Sequence, residues 1–216
     1  SNFANFLRFL RLIAAAITLL LPGIYIAITN FHQELLPTEL LLSILSSREN
    51  VPFPIIVELL IMELSFELIR EAGIRIPSPI GSTIGIVGGL IIGESAVSAH
   101  VVSPILVIIV AITGIASFAI PDFSFGFHLR TFRFVFIFLG AFSGFLGIGV
   151  GIFVYISILC NIKSFGVPFT APFSPGSTEN NTGYVLPPTW KQETRNSFLL
   201  PQEMKKQNKM SKKWEH

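Results

Sequence analysis

The sequence predicts an all-α, polytopic transmembrane helical protein with about four spans and one further acidic helix that is re-entrant or faces a pore. Hydrophobic residues make up 51% of the chain and charged residues only 13%, against about 25% in an average soluble domain. The mean hydropathy is +0.67. The charges are also segregated, since residues 1–162 carry a net charge of −2 and residues 163–216 a net charge of +4.

This charge distribution divides the chain into a transmembrane helical domain over 1–162 and a cytoplasmic tail over 163–216, rich first in proline and then in lysine. The chain starts at Ser1 and becomes apolar almost at once, so we expect a piece of a longer protein. A signal peptide is the alternative, but its apolar region is only about 7–15 residues long. The first uncharged run here has 20 residues, which favours a true span.

Four apolar segments have the length and composition of membrane helices. They are residues 12–31, 80–99, 101–121 and 134–162, of which the second is uncharged only over 80–93 and extends to 99 if Glu94 is accommodated. The first is about 30 Å long as a helix, and Pro22 with Gly23 in its middle should kink it. The last has 29 uncharged residues. That exceeds a perpendicular crossing, so we expect tilt, a break or protrusion from the bilayer.

The basic residues near the spans predict the orientation of the chain. Arg8 and Arg11 precede the first span, and lysines follow the last one. Both termini are therefore expected to be cytoplasmic, which requires an even number of crossings and fits four. Arg130 and Arg133 would lie on the non-cytoplasmic side in this topology, where basic residues are not expected.

An acidic helix is predicted over residues 55–72, opened by Pro52 and Pro54 and closed by Gly73 with Pro77. Its three central acids would cost about 8–10 kcal/mol in lipid, whereas its apolar residues return only about 4–5 kcal/mol. The helix must therefore face protein, a water-filled conduit or the membrane surface. The three acids are Glu58, Glu63 and Glu67.

The acids of this helix have two interpretations. Glu63 and Glu67 share one face, and Glu58 points the other way. Ionisable groups inside a membrane are functional candidates by default, here for cation attraction, proton relay or gating. The alternative is a buried Glu–Arg network that stabilises the fold, with Glu67 pairing Arg70 and Glu71 pairing Arg75.

A stripe of glycines runs along the predicted helix 80–99, because four glycines recur at intervals of four residues. They are Gly81, Gly85, Gly89 and Gly93. Each costs about 1 kcal/mol in a helix interior, and close approach of helices is the usual reason in membranes. The contact is either packing within one subunit or a symmetric contact around an oligomer axis, where short helices line a narrow pore.

The same helix supplies the candidates for a pore or gate. Val87 lies about 200° from Gly85 on a helical wheel, so it points away from the packed face and is the stronger candidate for a hydrophobic constriction. Leu90 is the second candidate. Glu94, at the end of the stripe, is either the mouth of a conduit or a solvated helix end.

The sequence offers no catalytic site, metal site or cofactor site. The four histidines are scattered, Cys160 is the single cysteine, and no nucleophile elbow or phosphate-binding loop is present. We therefore expect neither an enzyme nor a partner of nucleic acid.

Several segments resemble the A subunit of spore germination receptors (GerA-type) from endospore-forming bacteria, over about residues 5–175. They read LPGIYIAITNFHQELLP (21–37), SRENVPFP (47–54), ELIREAGIRIP (67–77), IGIVGG (84–89) and SFGVP (164–168). The resemblance implies the inner spore membrane, a soluble N-terminal domain before the membrane part, and two partner subunits. These are a transporter-like B subunit that binds the nutrient and a lipoprotein C subunit. The tail after residue 176 carries no such resemblance.

The resemblance also implies a function. The A subunit is expected to oligomerise as a ring around an ion-conducting path that triggers germination in response to nutrients. The alternatives are a non-conducting scaffold that couples the receptor to other germination proteins, and the related subunit of the dipicolinate-channel gene set. A secondary transporter is disfavoured, because the four spans show no internal repeat.

Overall fold

The computed structural model describes residues 2–75 and 80–171, with the isolated residues 195, 202, 203 and 205. Helices dominate this part of the chain, which confirms the all-α class. In order they are α1 (Asn2–Phe31), a 3₁₀ turn (Gln33–Leu35), α2 (Thr38–Ser47), α3 (Ile55–Arg75), α4 (Ile80–Ser98), α5 (Pro104–Phe118) and α6 (Phe123–Asn161), followed by the short antiparallel strands β1 (Lys163–Ser164) and β2 (Val167–Pro168). Most of the predicted tail, and Pro77, lie outside the described residues.

The chain forms two compact units, one of residues 13–150 and one of residues 1–12 with 151–216. The first unit contains the apolar core and all the residues discussed below as a site. The second contains the first turns of α1, the last turns of α6 and the β1–β2 hairpin.

The acidic helix α3 lies at the centre of the first unit. Helix α4 runs antiparallel to it, since Gly88 lies near Ile69 and Gly89 near Phe66. Helix α5 runs parallel to α3, since Ser103 lies near Glu58 and Phe118 near Arg70. Helix α6 runs antiparallel to α3, since Arg133 pairs with Glu63 and Arg130 with Glu67. The buried core of the first unit is formed by residues from α1, α3, the α4–α5 turn, α5 and α6. They are Tyr25, Ile26, Ile55, Leu59, Met62, Val102, Leu106, Val110 and Ile137.

Within the described residues, two helices are long and apolar enough to cross a membrane by length and composition: Phe3–Phe31 and Phe123–Asn161. Helix α5 has 15 residues, about 22 Å, and is shorter than the predicted segment 101–121. It starts late because Ser103 is extended at the N-cap and Pro104 takes the first helical position. Four crossings are therefore not established by these helices.

Helix α6 differs from the prediction at its start. It begins at Phe123, well before the predicted 134, because Asp122 caps it by accepting a hydrogen bond from the backbone N–H of Phe125 at 2.6 Å. The expected break lies at Gly144, which has φ 58° and ψ −142°. Only glycine adopts this conformation readily. A methyl group at this position would also lie only 3.1 Å from Cε1 of His32, which is tighter than an ordinary contact.

Helices α1 and α3 are longer than predicted. Helix α1 continues through Pro22 and crosses α6 with backbones in contact: a methyl group at Gly23 would lie 2.6 Å from the carbonyl oxygen of Phe136, and one at Gly140 would overlap the carbonyl oxygen of Gly23. Helix α3 runs to Arg75 instead of ending at 72. A glycine ends a helix when it takes a positive φ, and Gly73 does not.

Candidate functional site

The acids of α3 point into the protein, and each meets arginines or backbone donors from other elements. Glu58 is fully buried. Its Oε1 accepts hydrogen bonds from Nη2 of Arg48 at 2.8 Å and Nε of Arg48 at 3.1 Å, while its Oε2 accepts one from the backbone N–H of Ser103 at 3.0 Å. This carboxylate therefore ties the end of α2 and the start of α5 to the first turn of α3.

Glu63 forms the most deeply buried ion pair of the described residues. Its Oε2 lies 2.7 Å from Nη2 of Arg133 on α6, and the two side chains are 1% and 2% exposed. Removing one partner of such a pair costs about 3–5 kcal/mol, because the other charge is left buried without compensation. The pair therefore fixes how α6 packs on α3.

Glu67 is more open and has three arginines around it. Its oxygens lie 3.3 Å from Nη1 of Arg70, 3.3 Å from Nε of Arg130 and 3.9 Å from Nη2 of Arg133. Its side chain is 30% exposed. We call Arg70, Arg130 and Arg133, with Glu63 and Glu67, the arginine cluster.

Aromatic rings surround this cluster. The guanidinium of Arg70 lies 5.1 Å from the ring centre of Phe118, and that of Arg130 lies 5.9 Å from both Phe123 and Phe127. At such distances a cation is attracted to the face of a ring. Arg130 and Arg133 are thus accommodated in the first third of α6 without ending the helix.

The sequence predicted part of this network. The Glu67–Arg70 pair is confirmed, whereas the side chain of Arg75, expected to pair with Glu71, lies outside the described residues. The partners from distant segments, Arg48, Arg130 and Arg133, were missed. The sequence did contain two indications of these contacts. Arg130 and Arg133 did not fit the predicted orientation of the spans. They are also three residues apart and thus share one helix face, as Glu63 and Glu67 do at a spacing of four, so the two pairs can meet when the helices face each other.

The glycine stripe of α4 is covered along one part and open along another. Methyl groups at Gly89 and Gly93 would lie 3.4 Å from Cε1 of Phe66 and 3.4 Å from Cγ1 of Val107, so these positions pack on α3 and α5. A methyl group at Gly85 would lie more than 4 Å from every atom in the described part of the chain outside its own helix. Helix α4 includes Gly81, but the surroundings of Gly81 lie outside the described residues.

The predicted pore residues lie on the outer surface of α4. Val87 is 45% and Leu90 67% exposed, and Glu94 is exposed as well. Glu58 and Glu63, by contrast, are buried in ion pairs inside the protein. Within the described part of the chain, no three side chains are grouped so as to hold a metal ion.

The arrangement defines a class: an all-α protein with membrane-type helices, whose buried charges neutralise one another inside the bundle. More particularly, the chain belongs to the family described as Bacillus/Clostridium GerA spore germination protein, whose model matches residues 1–198. The resemblance seen in the sequence is thereby confirmed.

Curated relatives cover most of this chain. Spore germination protein KA of Bacillus subtilis (strain 168) is 44% identical over 209 residues, which is 96% of this chain and 38% of that protein. Spore germination protein GerLA of Bacillus cereus is 48% identical over 169 residues, 78% of this chain and 34% of that protein. The uncharacterized membrane protein YfkQ of Bacillus subtilis is 45% identical over 188 residues, 87% of this chain and 37% of that protein.

The chain thus spans less than two fifths of the length of each of these relatives. No solved structure gives a significant match.

Proposed function

We propose that this chain is the membrane part of a nutrient-responsive germination receptor subunit, and that copies of it assemble around an ion-conducting path lined by α4. In this proposal α1, α4, α5 and α6 cross the inner spore membrane, α3 is held inside the bundle as the acidic re-entrant helix, and both termini are cytoplasmic. The names of the relatives support a role in germination.

The observation that carries the proposal is the division of the stripe on α4. Its covered part, at Gly89 and Gly93, packs on the subunit's own helices, while a methyl group at Gly85 would have no atom of the described residues within 4 Å. A bare glycine costs about 1 kcal/mol in a helix, and in a membrane a second helix is what usually compensates it. A neighbouring copy at Gly85 supplies that helix.

The wall of the path then comes from α4. Glu58 and Glu63 are buried in ion pairs, so they are not available to a conduit, whereas Val87 and Leu90 are exposed. A ring of Val87 side chains, one from each copy, closes the path by excluding water. Glu94, near the other end of α4, attracts cations to its mouth.

The partners belong to the same proposal. A transporter-like B subunit detects the nutrient, a lipoprotein C subunit completes the receptor, and the opening of the α4 ring is the response.

Ion flux tests the proposal directly. The whole protein containing this chain is reconstituted in liposomes, and potassium release is measured for Val87→Ala, Val87→Phe and a control, Val150→Ala, at an exposed position on α6. We expect a leak with Val87→Ala, none with Val87→Phe and no change with Val150→Ala. Equal fluxes in all three would contradict the constriction.

A scaffold is the second candidate, and the buried network favours it. Three acids of α3 that could have served conduction are instead bound to arginines, as in a rigid coupling element. A scaffold predicts that the protein co-purifies with its B subunit but releases no ions from liposomes, whatever residue stands at position 87.

A further inference from the structure

Helix α2 presents three different surfaces around its axis. At about 100° per residue, the buried Ile44 and the half-buried Leu41 lie on one side. Leu42 and Leu45 lie on the next side, and they are 60% and 48% exposed. The third side is polar and exposed, and consists of Glu39, Ser43 and Ser46. Leu40, in the first turn, separates this polar side from the buried one.

Helix α2 is held at one end of the helix bundle. It begins at Thr38, a few residues after the membrane-type helix α1 ends at Phe31. Arg48, directly after α2, donates hydrogen bonds to the buried carboxylate of Glu58 in the first turn of α3, and the same carboxylate accepts one from the backbone N–H of Ser103 at the start of α5. Helix α2 therefore lies where α1 ends and where α3 and α5 begin. In a bundle that spans a bilayer, such helix ends lie at the membrane surface.

The three surfaces of α2 match the three environments at that level. A helix that lies along the membrane surface at the edge of a bundle meets protein on one side, the acyl-chain boundary on the next and water on the third. The buried side with Ile44 faces protein, the side with Leu42 and Leu45 suits lipid, and the side with the serines suits water. A bundle helix enclosed by protein would have no need of an exposed apolar side next to an exposed polar one.

The exposed apolar side of α2 is too small for a stable protein interface. Such an interface buries about 800 Å² on each partner, which two leucine side chains do not supply. A lipid bilayer sets no such minimum, because every buried CH₂ group contributes separately to binding. The size of the surface therefore favours lipid over a second protein.

The composition of α2 also indicates how a bilayer would hold it. Its only charged residue is Glu39, on the polar side. Helices that bind anionic headgroups carry lysine or arginine on the polar side, and α2 has neither. Contact with acyl chains, and not with headgroup charge, is what this surface can provide.

We infer that α2 lies in the membrane interface, with Leu42 and Leu45 inserted at the boundary between headgroups and acyl chains. The bilayer is the partner of this surface. Through Arg48 and Glu58, the inserted helix is linked to the starts of α3 and α5. The inference goes beyond the proposed function, since it needs the membrane placement of the bundle but neither ion conduction nor assembly.

Spin labels on α2 test the inference by electron paramagnetic resonance. The whole protein containing this chain, with Cys160 and any other cysteine replaced by serine, is labelled at Leu45→Cys and reconstituted in phosphatidylcholine liposomes. Collisions of the label with oxygen, which concentrates in lipid, are compared with collisions with a water-soluble nickel chelate. Ser43→Cys, on the polar side of the same helix, is the matched control, and Leu146→Cys, at an exposed apolar position on α6, is the lipid reference.

The ratio of oxygen to nickel collisions should be several-fold higher at Leu45→Cys than at Ser43→Cys, and close to that at Leu146→Cys. Adding phosphatidylglycerol should not change it, and a high ratio only with this anionic lipid would overturn insertion through acyl contact. Low collision rates with both reagents at Leu45→Cys would show that protein covers this side and overturn the inference. Equal ratios at positions 45 and 43 would do so as well, by placing both in water.

The lipid reference separates this inference from the proposed function. A low ratio at Leu146→Cys would overturn the membrane placement of the helices, and with it both the inference and the ion path. A low ratio confined to Leu45→Cys would overturn the inference alone and leave the ion path lined by α4 as proposed.

Discussion

Helices α3 and α4 lie side by side, and both contain residues that are unfavourable in a membrane helix. They differ in whether the rest of the chain compensates for those residues. Helix α3 carries charges that lipid would not tolerate, and its three central acids pair with arginines inside the subunit: Glu58 with Arg48, Glu63 with Arg133 and Glu67 with three arginines. Helix α4 carries glycines that only in part pack on neighbouring helices, since a side chain at Gly85 would meet none of the described residues. In our proposal, the charges that are paired within the chain contribute to its stability, and the uncovered glycine marks the place where another copy binds.

The largest effect is expected at the buried pair of α3 and α6. Arg133→Met should lower the free energy of unfolding by about 3–5 kcal/mol, because Glu63 remains buried without a partner. The double variant Arg133→Met with Glu63→Met should recover most of that loss, since it removes both charges. Thermal unfolding in detergent measures this, and a double variant no more stable than the single one would contradict the pairing.

The second largest effect on stability is expected to differ between a glycine that packs against another helix and a glycine that does not. Gly140→Ala should destabilise the protein by about 1–3 kcal/mol, because its methyl group would overlap the backbone of α1. Gly85→Ala, in open space, should instead stabilise the isolated subunit by up to about 1 kcal/mol. Melting temperatures of the two variants are the measurement. A loss of stability at Gly85 would show that the stripe is already covered there.

Leucine substitutions should distinguish the covered positions of the glycine stripe from the uncovered one more clearly than alanine substitutions do. Gly89→Leu should unfold or loosen the subunit, because the leucine meets Phe66. Gly85→Leu should leave the subunit folded and prevent assembly of copies. Size-exclusion chromatography combined with circular dichroism distinguishes the two outcomes, and loss of helix content in both variants would remove the distinction.

The smallest effect concerns water access along α3. In a Cys160→Ser background, Glu67→Cys should react with a water-soluble maleimide faster than Glu63→Cys, because only the first side chain is appreciably exposed. Equal rates would show that both acids line a wetted path, as a conduit along α3 would require.

The sequence predicted the kinds of surroundings better than the particular partners. The cost of inserting acids correctly excluded lipid as the surroundings of Glu58 and Glu63. The length of the last apolar run predicted tilt, a break or protrusion, and of these the structure has a break, at Gly144. The partners Arg130 and Arg133 were not predicted, because contacts between residues more than 60 positions apart depend on packing. For the same reason the start of α6 was placed too late: arginines that seemed to mark a loop are neutralised within a helix.

The glycine stripe shows the same limit. Periodicity identified the face of α4 that approaches another helix, but it could not separate the positions at Gly89 and Gly93, which α3 and α5 cover, from Gly85, which they do not. That separation depends on where Phe66 and Val107 lie.

Site-directed cross-linking tests the central claim, that the outer face of α4 meets a second copy while the charges of α3 stay inside. Val87→Cys in a Cys160→Ser background should form disulfide-linked dimers in membranes under mild oxidation. Leu146→Cys, at an exposed position on α6, should not. Cross-linking at Val87 alone is the result this account predicts, and dimers at Leu146 alone, or equally at both positions, would contradict it.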